Sequence, residues 1–380
     1  MGISVHVVGA STAGLYAAYR LASQGAEVHL YEAEPSFSPA PRTLILTPYF
    51  LKVLDFPPDD VILNKVWQFE LISANCAATV LLREPDLVIE RQKLLALLLR
   101  KAQEAGVKIH FGYRLEDLGE EGGRFLLRFR TEEGEEIVPS RVLVGADGAK
   151  SLVADRLHRK KLPIVAVIQA KVHFQKAIPA ERVRVWFDRS KTRFFIWLIP
   201  ESPHRGVVGL VADEMEEAHY ALADFLSSNS WEPEGFQAAL IPLYLPGTGM
   251  SIRRGTHRAI LVGDAAGHMK NTTVGGVVAG LRGASAIELT PDKKVEVGKK
   301  WWALKRELSL HAWLRRLLDH FSNEDYDRLL MLLNSPTLQI LATYPRDDFA
   351  KALVPLLLSQ PQWFPFGAKI LLKQLLGQQP

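Results

Sequence analysis

The sequence predicts an α/β fold that is interrupted by an inserted, mostly antiparallel sheet and closed by a helical C-terminal region. Three observations predict it. The chain opens as strand, glycine turn, helix and strand; three apolar strands each end in a glycine motif; and the stretch between the second and third motifs is dense in strands. Strands that alternate with helices favour a parallel sheet, whereas a run of strands favours a sheet of its own.

Residues 3–8 read as the first strand and residues 28–31 as the second. Between them residues 11–24 keep a helical apolar face in Leu15, Ala18 and Leu21. Residues 35–41 are rich in proline and serine, hence a loop. A helix is expected from Arg91 to Ala105, stopped by Gly106. Short β-type segments follow at 107–111, 125–130, 137–138 and 142–144. The inserted block contributes 164–174, 183–188, 194–198 and 206–211. After the strand at 259–262 the pattern turns helical and stays so. These shifts divide the chain into a nucleotide-binding part in two pieces (1–160 and 256–295), a substrate-binding sheet (161–255) and a helical tail (296–380).

A chain of 380 residues exceeds what a single core commonly spans, about 250–300 residues, so more than one packed unit is expected. A hydrophobic fraction of 48% and a charged fraction of 23% exclude disordered and fibrous classes. The net charge of +4 is too mild to mark a nucleic-acid binder. Cys76, the one cysteine, rules out an internal disulfide and points to a reducing compartment, with the thiol buried as a small apolar group. The chain opens without a basic stretch ahead of an apolar one, and no window reaches the roughly 18 apolar residues of a membrane span. A cytoplasmic protein, in part peripheral to a membrane, is therefore expected. The eleven histidines show no ligand spacing and no serine sits in a nucleophile elbow, so neither a metal site nor a hydrolytic triad is expected.

The first motif, Gly9-Ala10-Ser11-Thr12-Ala13-Gly14, lies between a strand and a helix, and Glu32 ends the next strand. A dinucleotide needs a tight turn at Gly9, small residues at Ser11 and Ala13 where the pyrophosphate meets the helix, and close packing at Gly14. Glu32 would accept hydrogen bonds from the adenosine ribose. Ser11 replaces the middle glycine but keeps a small side chain. The second motif, Gly145-Ala146-Asp147-Gly148, and the third, Gly263-Asp264-Ala265-Ala266-Gly267, again close apolar strands. Alone, each Asp could be a turn or a helix cap.

Together, in this order, the three motifs resemble the glutathione-reductase-type, Rossmann-like FAD proteins of the aromatic-hydroxylase class. That resemblance implies FAD as cofactor, with Asp147 and Gly148 at one strand end and Gly263 and Asp264 on the ribityl chain. It further implies that Arg42 and Arg91 reach the cofactor. The run Lys270-Asn271-Thr272-Thr273-Val274-Gly275-Gly276 is similar to the Lys-x-Thr-Thr-glycine segment of the geranylgeranyl reductase family, with Asn271 where proline is usual and Val274 for the first glycine. Residues 274–276 would face the flavin pyrimidine ring. Val274 resists positive φ, so a different local backbone is expected there. Phe195-Ile196-Trp197-Leu198-Ile199-Pro200 resembles that family's pocket strand, and Trp-x-Trp-x-Ile-Pro of flavin halogenases. Phe195, Trp197, Ile199 and Pro200 are the expected pocket residues, with Glu201 where the family carries lysine.

The implied activity is reduction of carbon–carbon double bonds in an isoprenoid lipid or quinone by hydride from reduced FAD. No proton donor or other catalytic residue identifies itself, nor does the electron donor. A flavin monooxygenase or halogenase is the alternative, and a non-catalytic flavin- or lipid-binding protein a third. Residues 369–376 form a basic amphipathic segment, which either packs on the core or lies on an anionic membrane.

Overall fold

The computed structural model describes residues 3–58 and 60–375. Its first sheet has six strands in the order Ser251–Arg254, His257–Leu261, Val142–Gly145, Ser4–Val8, Glu27–Glu32 and Lys108–Phe111. All neighbours run parallel except the edge pair formed by Ser251–Arg254 and His257–Leu261. The strands followed by the three glycine motifs are therefore side by side, and their carboxyl ends open at one edge. Parallel strands covered on both faces read as continuous apolar runs. One face packs against the helices Thr12–Ser23, Arg91–Glu104 and Val277–Ser285, through Val5, Val7, Leu15, Leu94 and Leu281. The other is covered by an antiparallel meander, Arg114–Glu121, Arg124–Thr131 and Gly134–Ser140, whose Phe125, Leu127 and Phe129 meet Val8 and Leu143.

The second sheet has eight strands, all antiparallel but for the parallel pair Arg182–Trp186 and Ile62–Ile72. The inserted block supplies Ile164–His173, Arg182–Trp186, Ile196–Ser202, Arg205–Ala212 and Pro233–Pro242. The remaining strands, Thr43–Leu46, Ile62–Ile72 and Ala77–Glu90, come from ahead of residue 160, so this sheet draws on more of the chain than residues 161–255. Ser251–Arg254, inside that span, joins the first sheet instead because it forms a hairpin with His257–Leu261. Side chains alternate across the strand Ile196–Ser202. Ile196 and Leu198 pack against the helix Met215–Ser228, while Trp197 and Ile199 enter a separate cluster on the opposite face with Phe195.

A hairpin, Ile287–Leu289 with Val295–Val297, interrupts the helical pattern expected after residue 262. Helices then dominate from Lys300–Leu318 to Trp363–Leu375. They are tied to the second sheet through Asp327, whose carboxylate accepts from Ser73 Oγ at 2.5 Å, Asn75 N at 3.0 Å and Asn75 Nδ2 at 2.8 Å. In the last helix Phe366 and Ile370 are buried against Phe321 and Tyr326. Lys369 and Lys373 both form ion pairs with Asp325, so this segment packs on the core through one face; Leu376 lies outside the described residues. Cys76 is half-buried beside the turn held by Ser73 N on Cys76 O, rather than fully enclosed as a small apolar group. Among the described residues no helix is long and apolar enough to cross a membrane, and no cluster of potential metal ligands occurs.

Two buried histidines make the fold acid-labile. His6 lies in the first strand with Nδ1 3.0 Å from Ser140 Oγ, and burial, aided by His29, lowers its pKa from 6.5 to about 4. His268, wholly enclosed beside Trp301, is lowered by burial to about 3. As pH falls, the unfolded chain takes up these protons first. The stability is thus complete above about 6.5 and is lost, for His6, as pH falls to about 4. At about 1.4 kcal/mol per pH unit the His6 share is about 3 kcal/mol. Urea unfolding at pH 7 and pH 4 should show His6→Asn losing less stability over this interval than the parent by about that amount; equal losses would refute the assignment.

Candidate functional site

At the shared edge of the first sheet lies a cleft of about 460 Å³, lined by Gly9, Ala10, Ser11, Glu32, Arg91, Asp147, Gly148 and Lys150 among others. Its floor is built from backbone that approaches closely. A Cβ on Gly9 (φ +102°) would lie 2.5 Å from the Ala146 carbonyl oxygen, and one on Gly14 2.1 Å from that of Gly9. Ser11, in place of the usual glycine, caps the helix: its Oγ accepts from Gly14 N at 3.2 Å. The first-turn amides of that helix lack partners within it and carry the positive end of its dipole, which suits a phosphate. Glu32 lines the cleft while accepting from Ala10 N at 2.7 Å and Glu34 N at 3.1 Å, so it also holds the turn.

Asp147 proves to be a cap as well as a cleft residue. Its carboxylate accepts from Ser151 Oγ at 2.5 Å and Val153 N at 3.0 Å, starting the helix Leu152–Arg156, and burial raises its pKa. It thereby fixes Gly148, which lines the cleft at φ +87°. Asp264 differs. Among the described residues its side chain finds no hydrogen-bond or ion-pair partner, although burial raises its pKa while Arg91 and Arg42 pull it down. A carboxylate with unmet acceptors, faced by two arginines, is the environment in which ligand hydroxyls are bound. Arg91 N donates to Arg42 O at 2.9 Å, joining the two, and Arg42 also donates to Ala238 O at 2.9 Å. Burial lowers the pKa of both guanidinium groups.

Ala13, Gly14 and Gly263 do not line the cleft. Gly263 (φ +60°) brings its strand end against the first helix, since a Cβ there would lie 2.9 Å from Ala13 Cβ. These residues set the spacing of the motifs.

A second cavity of about 300 Å³ lies between the second sheet and the loop ahead of the helix Val277–Ser285. Arg42, Val274, Gly275 and Gly276 line it together with Phe195, Trp197 and Ile199. The rings of Phe195 and Trp197 are 5.7 Å apart. Pro200 lies outside the wall; its carbonyl accepts from Asn64 Nδ2 at 3.0 Å. Glu201 accepts from Thr43 Oγ1 and lies 3.7 Å from Lys171 Nζ, so no lysine after the proline serves the cavity. Val274 takes φ +49°, against the expectation that it would resist positive φ. The loop imposes this conformation: Thr273 N and Val274 N both donate to Lys270 O, at 3.1 and 2.8 Å.

Sequence reasoning missed the cavity's charged corner. Lys270 and Arg346 line it, Lys270 Nζ being 2.7 Å from Asp347 Oδ1 and Arg346 paired with Asp86 at 2.5 Å. Asp347 is also held by Thr47 Oγ1 at 2.7 Å. Burial lowers the pKa of Lys270, an effect that Asp347 partly offsets. Lys270 was visible within the Lys-x-Thr-Thr run; Arg346 and Asp347 had no signal, because they arrive from the helical tail.

Residues 83–255 match the family model described as FAD binding domain. The chain carries an FAD-binding domain. Residues 7–43 of this flavoprotein match a second model, NAD(P)-binding Rossmann-like domain, which spans the first glycine motif and Glu32. No curated protein matches the chain. Among solved structures, a geranylgeranyl bacteriochlorophyll reductase-like protein from Thermoplasma acidophilum is similar with a TM-score of 0.76 and 18% identity, covering 93% of this chain and 96% of that one. The flavin-dependent brominase Bmp2 is similar at 0.64 and 15%, covering 93% and 94%. CtdE, solved with FAD and a substrate, is similar at 0.66 and 14%, covering 94% and 99%. At such identities these likenesses describe the fold. The cofactor is FAD, and the orphaned Asp264 and the glycine-built cleft fit it. Asp264→Ala should lower flavin occupancy at least tenfold, the cost of about 1.5 kcal/mol or more for a lost hydrogen bond to a charged group. Flavin-to-protein absorbance ratios of the purified variant check this; unchanged occupancy would remove Asp264 from the site.

Proposed function

We propose that this flavoprotein reduces carbon–carbon double bonds of an apolar isoprenoid chain. The observation that carries the reading is the apolar cavity, in which Phe195 and Trp197 face the Val274–Gly276 loop and one buried lysine, Lys270, also reaches the wall. Bound FAD, once reduced, supplies a hydride equivalent. The wall of Phe69, Val183, Val185, Phe195, Trp197 and Ile199 would hold the alkene and exclude water. A cavity of about 300 Å³ is at the small end for ligand pockets, so it takes one segment of a long chain. Lys270 is the proton source for the second alkene carbon: burial makes its ammonium more acidic and Asp347 holds it in place. The likeness to the geranylgeranyl reductase-like fold supports the same substrate class.

Lys270 also favours a second reading, because a halogenase needs a pocket lysine and a flavin-dependent brominase shares the fold. An anaerobic assay separates the two. Reduced enzyme mixed with a geranylgeranyl lipid or a polyprenyl quinone should be reoxidised, with product gaining two hydrogens per reduced bond. Lys270→Met should slow that step by about 10²-fold or more while flavin stays bound. Trp197→Ala should weaken turnover far more than flavin binding. Reoxidation only on admission of oxygen, with oxygen or halogen in the product, would establish the second reading.

The proposal extends to a peripheral contact with lipid. The last helix, Trp363–Leu375, turns Phe364, Leu371 and Leu372 outward, while its two lysines are occupied by Asp325. Binding to vesicles should therefore be driven by apolar insertion and change little with salt. Co-sedimentation with anionic vesicles should be lost in Phe364→Glu/Leu371→Glu; equal binding by parent and variant would exclude this face.

A further inference from the structure

The apolar cavity has two unlike ends. At one lies the charged corner, where Arg346 pairs with Asp86 and its guanidinium sits 4.7 Å over the Phe69 ring. Arg346 also lines an outer cleft of about 270 Å³ with the exposed Lys52 and Arg83, so this end leads to the surface. From there the wall follows alternate residues of one strand, Val183, Val185 and Phe187. Phe69 stands opposite Val183 in the parallel pair, whereas Phe187 N donates to Ile72 O at 2.8 Å. Val183 and Phe187 are thus about 13 Å apart along the strand, which makes Phe187 the far end. Phe69, Val183, Val185, Phe195 and Trp197 belong to the sheet's own cluster, but Phe187 packs into that of the helical tail. Its ring is stacked on Tyr326, with centroids 4.7 Å apart and planes 8° from parallel. Tyr326 is 1% exposed, on the helix Asn323–Met331. That helix is fastened at two points. Asn323 Oδ1 accepts from Arg189 N at 2.9 Å, and Asp327 holds Ser73 and Asn75 in the turn after the strand Ile62–Ile72. An aromatic wall backed by a fixed, close-packed ring yields little to an added atom.

We propose that Phe187, braced by Tyr326, is the floor of the substrate cavity and sets which bond of the chain is held beside Lys270. The proposal rests on the reading of this cavity as the isoprenoid site. A chain enters with its apolar end leading, because a polar head is solvated at the Arg346 end and would lose that solvation against Phe187. A cavity of about 150 Å³ holds the six carbons of benzene, so one of about 300 Å³ holds about twelve. Lys270 belongs to the charged corner, at the opposite end from the floor. The carbons beyond the reacting bond must fit between the two, so the position of the floor selects a bond by its distance from the chain's apolar end. Phe187 thereby determines specificity without touching the reacting atoms.

The test measures binding of saturated 1-alkanols to the FAD-loaded protein by calorimetry, each below its solubility limit, so that no alkene chemistry enters. For the parent, affinity should rise about fourfold per methylene up to about twelve carbons and then stay level. Phe187→Ala should move this break to longer chains by up to about six carbons, the size of the ring removed. Phe187→Trp should move it to shorter chains by about three, the atoms added. Flavin occupancy should be the same in all three proteins. A ring that only cements the tail to the sheet would change the melting temperature and leave the break in place, which would overturn the proposal. So would a parent with no break, or a break that moves the same way in both variants. Should Phe187→Ala fail to fold, the direction of the Phe187→Trp shift decides alone. Absence of alkanol binding to the parent would overturn the floor and the isoprenoid reading together. Breaks that move in opposite directions, while no alkene reoxidises the reduced flavin, would remove the reductase reading and leave the floor standing.

Discussion

The site depends on how closely two strand ends approach each other. Ala146 N donates to Val8 O and Gly9 N to Tyr31 O, both at 2.8 Å, so three parallel strands finish in register and turn away together. Any side chain at Gly9 would strike the Ala146 carbonyl, and any at Gly14 the Gly9 carbonyl. The helix Thr12–Ser23 can therefore descend onto the sheet with its amide end facing the cleft. Val262 N donates to Gly145 O at 2.9 Å, which brings the third motif alongside, and Gly263 against Ala13 sets its distance from the helix. Asp264 owes its place, beside Arg42 and Arg91, to that chain of contacts.

Legibility followed burial. The strands Ser4–Val8, Val142–Gly145 and His257–Leu261 are enclosed on both faces, so they read as apolar runs whose glycine ends stand out. Thr43–Leu46, Ile62–Ile72 and Ala77–Glu90 went unread because they are partly exposed and carry Lys65, Glu70, Arg83 and Glu84. Pro85 breaks the strand signal further, near a register shift at Val66/Gln68. In the pocket, Phe195, Trp197 and Ile199 were legible through the strand's resemblance to the reductase family's, and alternation put them on one face. Asp147 shows the opposite limit. A carboxylate beside a glycine at a strand end reads equally as a ligand or a cap, and here hydrogen bonds from Ser151 and Val153 N make Asp147 a cap while it also lines the cleft.

The charged corner of the apolar cavity is an arrangement that stability alone does not explain. Lys270, Arg346, Asp347 and Asp86 are formally neutral together, and Arg346 lies over the Phe69 ring at 4.7 Å. Buried ion pairs commonly contribute no more than well-packed apolar residues, because desolvation offsets their attraction. Their retention at the wall of a cavity, with one cation on the same loop as Gly275 and Gly276, fits a chemical role better than a structural one.

That loop explains its own departures from the reductase-like motif. Where proline would stiffen the chain, Asn271 does so by hydrogen bonding: its Oδ1 accepts from Tyr244 N at 2.8 Å and its Nδ2 donates to Tyr244 O at 3.0 Å. The segment is thereby fastened to the end of the second sheet, and Lys270 N donates to Gly275 O at 3.3 Å across its neck. A β-branched residue in the left-handed region costs about 1–2 kcal/mol, and such strain persists only where the surroundings over-determine the backbone. Val274 meets that condition. Its amide is held by Lys270 O, and its side chain packs into the apolar cluster with Trp197 and Ile199. Glycine would remove the strain and, with it, one apolar surface of the cavity. The valine trades backbone comfort for a drier wall at the point where the Lys270–Gly276 loop meets the pocket.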